Sequence, residues 1–387
     1  MSDQTADRII EQCRDFISDP ENNFLTFVFS EKLDILLPVT DKKNQAYKKI
    51  HNMIIQQKVI PAYQNLIQGL IKLKGTGNNK GGLYYLPQGT AYYEYLLKKN
   101  CGLYESIPTM QSRLYTQLQK DYIECNSILE KKPDLLNVIT SDKQQFSLSP
   151  EEILQDLQRK YLSDFPVIPD INYEIKYVYK SMEEHLSPAF YLTPPIDTLS
   201  PNSIYINPQY QLQGTDLYTT LAHEGFPGHL YQSVYFSLTS PSLIRSIVNT
   251  GGYTEGWATY VESYAYSYCP GNPQLNRLLW LNRSINLCLL SLIDIGIHYY
   301  GWTMEHVSSF LSGFGITNTD SVTEIYQTVI EDPTNYIKYY MGYLHFLDLK
   351  EDWINQQTGS PNIIDFHVKV LKIGPCPFPI LEKYMEF

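Results

Sequence analysis

The chain has 387 residues, 43% of them hydrophobic and 18% charged, an ordinary globular composition that supports a sizeable core in two domains or one large one. With 30 Lys and Arg against 41 Asp and Glu, the formal charge is −11, the wrong sign for a surface that neutralises phosphates or anionic lipid. Nucleic acid and membrane are therefore excluded as expected partners, and no window offers the roughly 18 uncharged apolar residues of a spanning helix.

Met1 to Ile17 mixes Asp3, Asp7, Arg8, Glu11, Arg14 and Asp15 with scattered apolar residues and carries no apolar run of the secretory kind. The six cysteines, Cys13, Cys101, Cys125, Cys269, Cys288 and Cys376, form no CxxC pair, which predicts a reduced, cytoplasmic protein. Lys43 to Lys74 has apolar residues at helical spacing and stops at the breaker cluster Gly75-Thr76-Gly77-Asn78-Asn79, predicting one long helix or a kinked pair. Gln88 to Lys99, Pro108 to Lys131 and Ser149 to Leu162 read as further helices, the last with Pro150 at the first helical position and acids in the first turn.

The texture changes after Pro166. Tyr173 to Tyr179 alternates, Ala189 to Leu192 is short and apolar, and Ser203 to Ile206 follows a turn-rich stretch, so three short strands are expected. From Thr215 to about Trp353 the chain is predicted helical again, with interruptions at Pro227-Gly228, Gly251-Gly252, Pro270 to Pro273 and Asp332-Pro333. The expected organisation is an N-terminal helical half over 1–165 and a metal-binding catalytic half over 166–387, joined around a cleft.

Leu217 to His229 brings His223, Glu224 and His229 within seven residues, late in a predicted helix. Neutral imidazole is a common zinc ligand, and a carboxylate beside water can take its proton. The ordinary zincin arrangement places its two His at i and i+4. Here the second is at i+6, which on a straight helix sets the two rings about 120° apart. Pro227 lacks the N–H that would continue the helix, so a break there followed by Gly228 is expected to swing His229 back towards His223. Taken alone, the pair is equally readable as two structural histidines. A catalytic zinc site uses three protein ligands and keeps one position open, and Glu255, at the start of the next predicted helix, supplies the missing donor. Glu262 falls about 20° off the same helical face and is placed to orient a ligand His through its other ring nitrogen, or to be a solvated carboxylate.

The strings His223 to His229 (HEGFPGH) and Thr254 to Glu262 (TEGWATYVE) resemble the large bacterial family catalogued as "domain of unknown function 885", whose HExxPGH and EGWAxYxE motifs mark zinc metallopeptidases. Asp294 to Thr303, Tyr339 to Gly342 and Phe366 to Leu381 resemble further family segments in order, and Gln88 to Tyr93 and Tyr191 to Asn207 also fit, so the likeness spans about residues 80 to 387. Two departures stand out: a short N-terminal region, and Tyr340 where a basic residue is expected. The family resembles in its motifs the helical gluzincins, which implies a mainly α fold with a deep cleft and a few short strands near the active site.

The resemblance implies one Zn²⁺ per chain held by His223, His229 and Glu255, with Glu224 as general base. It adds His298 as a donor to a developing oxyanion with Asp294 behind it, against the plainer reading of a helix contact between them. Tyr339 is a phenol donor to the tetrahedral centre or a packing residue. Arg283 and Lys338 are the nearest cations for a substrate carboxylate, although lone cations are usually solvated. The expected activity is a peptidase, carboxypeptidase-like in its simplest form, acting on a peptide. A zinc amidohydrolase acting on a small non-peptide amide is the alternative, and a non-catalytic helical binding protein on the same scaffold a third. Metal content separates the last from the others.

Overall fold

The structure, a computed structural model, describes residues 3–385 apart from 22, 78, 80, 141–145, 249 and 358; the side chains of 138–140 also lie outside the described set. Asn78 of the predicted breaker cluster is among the residues not described.

The chain divides into two compact units, one of them comprising Met1–Lys80, Tyr177–Pro188 and Asn207–Tyr210. It carries α1 (Asp3–Ile17), α2 (Phe24–Leu36), α3 (Lys42–Ile54) and α4 (Ile60–Leu73). The helical run expected between Lys43 and Lys74 is the pair α3 and α4, joined by one wide π-helical turn at Ile55–Val59. That turn sits where Pro61 removes an N–H and would clash with the preceding carbonyl, so the ladder widens instead of breaking.

The second unit holds the rest of the chain. Its elements begin with α5 (Gly89–Leu96), α6 (Ile107–Lys131), α7 (Asp134–Thr140) and α8 (Pro150–Lys160). They continue through β1 (Tyr173–Tyr177), β2 (Ala189–Leu192) and β3 (Asn202–Ile206) to α9 (Gly214–Glu224), α10 (His229–Leu238) and α11 (Gly251–Tyr268). The long α12 (Pro273–His298) follows, then α13 (Met304–Ser312), α14 (Thr319–Glu331), α15 (Asn335–Gln356), α16 (Ile363–Ile373) and α17 (Phe378–Met385). The protein is mainly helical with one three-stranded sheet in the order β1-β3-β2.

Local chemistry explains several boundaries. Ser149 and Glu152 close a capping box on α8, each bonding the other's backbone N–H, with Pro150 in the first turn as expected. Ser106 caps α6 and Asn272 caps α12 through side-chain oxygens. Gly251-Gly252, expected as an interruption, instead opens α11; the break lies before it, between Thr239 and Thr250.

The units divide near residue 80 and not at 165. The reason is burial: Met110, Leu114 and Leu118 of α6 and Ile153, Leu154 and Leu157 of α8 enter the same core as Leu221 of α9 and Trp257 of α11. At α12 the stretch is long and apolar enough to cross a membrane by composition, yet 67% of its most apolar window is buried within the protein. Ser284 on this helix bonds the buried Asp121 of α6 at 2.6 Å, and Leu287, Leu292 and Ile295 lie in the core. It is a central core helix of its unit.

Candidate metal centre

Apolar residues Leu217, Tyr218, Leu221 and Ala222 bury one face of α9 and carry His223 and Glu224 to its C-terminal end. The helix stops at Glu224, the chain turns through Gly225 to Gly228, and α10 starts at His229. The expected break between the two histidines is therefore a complete four-residue turn between separate helices. Gly228 makes the turn tight enough, since a Cβ there would lie 1.9 Å from the His223 carbonyl oxygen and 2.4 Å from that of Ala222. Folding the chain back onto the end of α9 sets the His223 and His229 rings 4.7 Å apart at 85°.

The third expected donor, Glu255, comes from α11, which packs against α15 by direct backbone approach. A Cβ on Gly256 would sit 2.5 Å from the Gly342 Cα, so only glycine at both positions lets the helices meet this closely. Glu255 precedes that contact on α11 and Tyr339 precedes it on α15. Trp257 then ties α11 to the turn, its indole N–H donating to the Pro227 carbonyl at 2.9 Å.

These constraints focus three atoms on one point. The Glu255 Oε2 lies 3.6 Å from His223 Nε2 and 3.4 Å from His229 Nε2. That oxygen is buried yet makes no well-formed hydrogen bond. Ligands about 2.1 Å from a tetrahedral metal stand about 3.4 Å from one another, so each of the two distances from Glu255 Oε2 is close to that between a pair of such ligands. Glu224 stands close to the two histidines, with one ligand atom from each of the three residues all within 4.8 Å of one another. Its Oε2 accepts the backbone N–H of Tyr191 in β2 at 2.8 Å, while its Oε1 stands 4.0 Å from His223 Nε2.

Behind the donors, His223 Nδ1 meets Glu262 Oε1 at 2.6 Å, and Arg283 Nε donates to Glu262 Oε2 at 3.2 Å. This chain leaves Nε2 as the free face of His223 and fixes the ring. Burial pushes the His223 pKa down, but the Glu255 and Glu262 carboxylates outweigh it and hold it up at about 10. Burial would raise Glu262, yet Arg283 and His223 pull it down to about 2. Glu255 is likewise held well below the carboxylate range against its own burial, by both imidazoles. With Glu262 balanced by Arg283 behind His223, the Glu255 and Glu224 carboxylates are the ones that face the imidazole Nε2 side, an electrostatic setting suited to a cation. Tyr339, its ring centroid 6.2 Å from that of His223, has its phenol pKa pushed far up by burial and by Glu255 and Glu224.

The remaining expected residues go elsewhere. His298 is fully buried and spends both ring nitrogens on backbone, Nδ1 accepting from Leu83 N–H at 3.1 Å and Nε2 donating to the Val329 carbonyl at 2.9 Å. It has no nitrogen left for an oxyanion. Nor is Asp294 its partner, since that carboxylate accepts the Tyr93 hydroxyl and the Thr334 N–H, and burial raises its pKa to about 8. Arg283 is taken by Glu262, which removes it as a free substrate anchor. Lys338 lies over the Tyr339 ring, 5.3 Å from its centroid. Tyr340, standing where a basic residue was expected, points into the core, where its hydroxyl meets Ser284 Oγ at 2.8 Å. Sequence reasoning missed Tyr191 and Trp257 as determinants of the site. The tryptophan sits inside the EGW string, but its partner across the turn is invisible without the fold.

A family profile described as "Bacterial protein of unknown function (DUF885)" matches residues 2–385, and the chain belongs to that family. Among solved structures, "The crystal structure of the putative lipoprotein from Colwellia psychrerythraea" is similar with a TM-score of 0.84 and 23% identity, covering 99% of this chain and 69% of that one. "The structure of a putative lipoprotein of unknown function from Shewanella oneidensis" is similar with a TM-score of 0.66 and 16% identity, covering 99% and 73%. At these identities the likeness shows a shared helical fold. No match was found among curated proteins.

Proposed function

We propose that this member of the DUF885 family is a zinc-dependent peptidase, with one metal per chain held by His223, His229 and Glu255. The observation that carries the reading is the buried Glu255 Oε2, unbonded and set between two imidazole Nε2 atoms at 3.4 and 3.6 Å. The mainly helical fold, with a β-strand backbone bonded to Glu224, supports the gluzincin-like architecture implied by the motifs.

A bound zinc supplies Lewis acidity, polarising a carbonyl and bringing the ionisation of water towards neutral pH. Glu224 is held by the Tyr191 N–H through one oxygen, which leaves Oε1 to accept the proton of an attacking water and return it to the leaving amine. Glu262 and Arg283 keep His223 in the orientation that offers Nε2. Tyr339 stays protonated at neutral pH and so remains a donor for charge that develops on the reacting carbonyl oxygen. β2 is an edge strand, bonded to β3 on one side, and gives an extended peptide a backbone to align with.

Elemental analysis of the purified protein tests the reading together with hydrolysis of a peptide panel before and after chelation. About one zinc per chain, and cleavage lost on chelation and restored by zinc, is the expected result. Stoichiometric absence of metal after zinc dialysis overturns it.

A further inference from the structure

Between His229 and Glu255 the sequence holds a single charged residue, Arg245. In the structure it lines a cavity of ≈ 490 Å³ that also has His229, Tyr191 and Thr254 in its wall, so the cavity opens directly beside the candidate metal centre. The rest of its wall is mixed, with Ile196, Leu199, Phe236 and Val248 beside the uncharged polar groups of Gln232 and Ser233. Arg245 Nη2 donates to the carbonyls of Ile373 and Pro375 at 2.8 and 2.9 Å, and its guanidinium stacks over the Phe236 ring at 4.9 Å. Two carbonyls and an aromatic face hold the group still without neutralising it. Among the described residues no carboxylate pairs with Arg245, and its Nε and Nη1 donors meet no hydrogen-bond partner.

A fixed guanidinium with unused donors, facing a small cavity that holds no carboxylate, is the arrangement that recognises a carboxylate in two-pronged fashion. We infer that Arg245 anchors a carboxylate of the peptide substrate in this cavity. The inference rests on the peptidase reading and names its substrate class. A compact volume of this size is about 10 Å across, the reach of roughly three extended residues. The anchored carboxylate therefore lies within about three residues of the scissile bond, and the protein trims short pieces from a chain end or cuts close to an acidic residue. This assigns to Arg245 the role that the sequence suggested for Arg283 or Lys338.

The test is equilibrium binding of matched short peptides to zinc-loaded Glu224→Gln protein and to the metal-free protein. One peptide ends in a free carboxylate, one in an amide, and one in an amide with Glu among its last three residues. The expected result is at least 10-fold tighter binding of a carboxylate-bearing peptide than of the plain amide, with that preference abolished in Arg245→Gln. Whichever carboxylate peptide shows the preference identifies the source, terminus or side chain. Equal binding of all three, or a preference that survives in Arg245→Gln, overturns the inference. Should Arg245→Gln lose its folding transition, Arg245→Lys carries the test: it keeps the charge, lacks the fork, and is expected to cut the preference several-fold, whereas an unchanged preference overturns the anchor. Cleavage of these peptides by the wild type without carboxylate preference sinks the anchor alone. Carboxylate-selective binding with no zinc-dependent cleavage sinks the peptidase reading alone.

Discussion

Trp257 and Pro227 are joined by a buried hydrogen bond of 2.9 Å, indole N–H to carbonyl, and through it the helix bearing Glu255 grips the turn that separates His223 from His229. One contact thus couples all three proposed donor positions. In Trp257→Phe the ring is largely kept and the bond is lost, leaving a buried carbonyl unpaired at a cost of about 1–3 kcal/mol. The metal-free variant should melt several degrees lower and bind zinc several-fold more weakly. Lower stability with unchanged zinc affinity in a titration means that the turn holds its shape without this tie.

Zinc content should respond to the donors and to what lies behind them in different degrees. His223→Ala and Glu255→Ala are expected to lose the metal on dialysis. Glu262→Gln keeps the donor set, loosens the His223 ring, and should weaken zinc by about 10–100-fold. Full occupancy in either alanine variant, measured by elemental analysis, removes that residue from the set.

Glu224→Gln separates binding from chemistry. The amide preserves size and still accepts the Tyr191 N–H, but has no basic oxygen for the water proton. Zinc content should stay near one per chain while turnover drops by at least about 10²-fold. Near-normal turnover in the metal-replete variant assigns the base elsewhere.

Gly228→Ala tests the turn. The added Cβ meets the His223 and Ala222 carbonyls at 1.9 and 2.4 Å, backbone atoms that cannot swing aside. Overpacking of this kind costs about 1–3 kcal/mol or more, and the relaxed turn should displace His229. The expected signature is a lower melting temperature together with reduced zinc occupancy; a variant that holds zinc normally shows that the turn adapts.

His298 is a question of pH. Burial pulls its pKa down to about 4, against the Val329 carbonyl that favours its charged form. The unfolded chain has it near 6.5. Between pH 6.5 and about 4 the unfolded state takes up a proton that the folded state refuses, so this residue makes stability fall as pH falls through that window, by up to about 1.4 kcal/mol per unit. The difference in stability between wild type and His298→Asn should narrow with acidification across it. A His298→Asn variant of unaltered stability profile but abolished turnover returns His298 to the chemistry.

Much of this protein was legible in its sequence because the signals are local. Helix and strand period, Ser149-Pro150 with Glu152 as a start signal, and the three short strands after Pro166 depend on residues a few positions apart. The need to break the helix between His223 and His229 was readable for the same reason, whereas Glu255, 26 residues further on, entered only through the motif it belongs to. What lay beyond the sequence is pairing across long separations. Whether Asp294 meets His298 one turn away or Tyr93 and Thr334 far off in the chain, whether Arg283 is free or spent on Glu262, and which cation faces the cavity are settled by packing. Helical spacing offers a contact without requiring it, and a buried polar group takes whichever partner the tertiary fold brings within hydrogen-bond distance. The sequence by itself determined which residue types are available to the candidate metal centre; the tertiary structure, through the tight turn at Gly228, the Trp257–Pro227 bond and the close approach of α11 to α15 at Gly256 and Gly342, decided which of their atoms face one another.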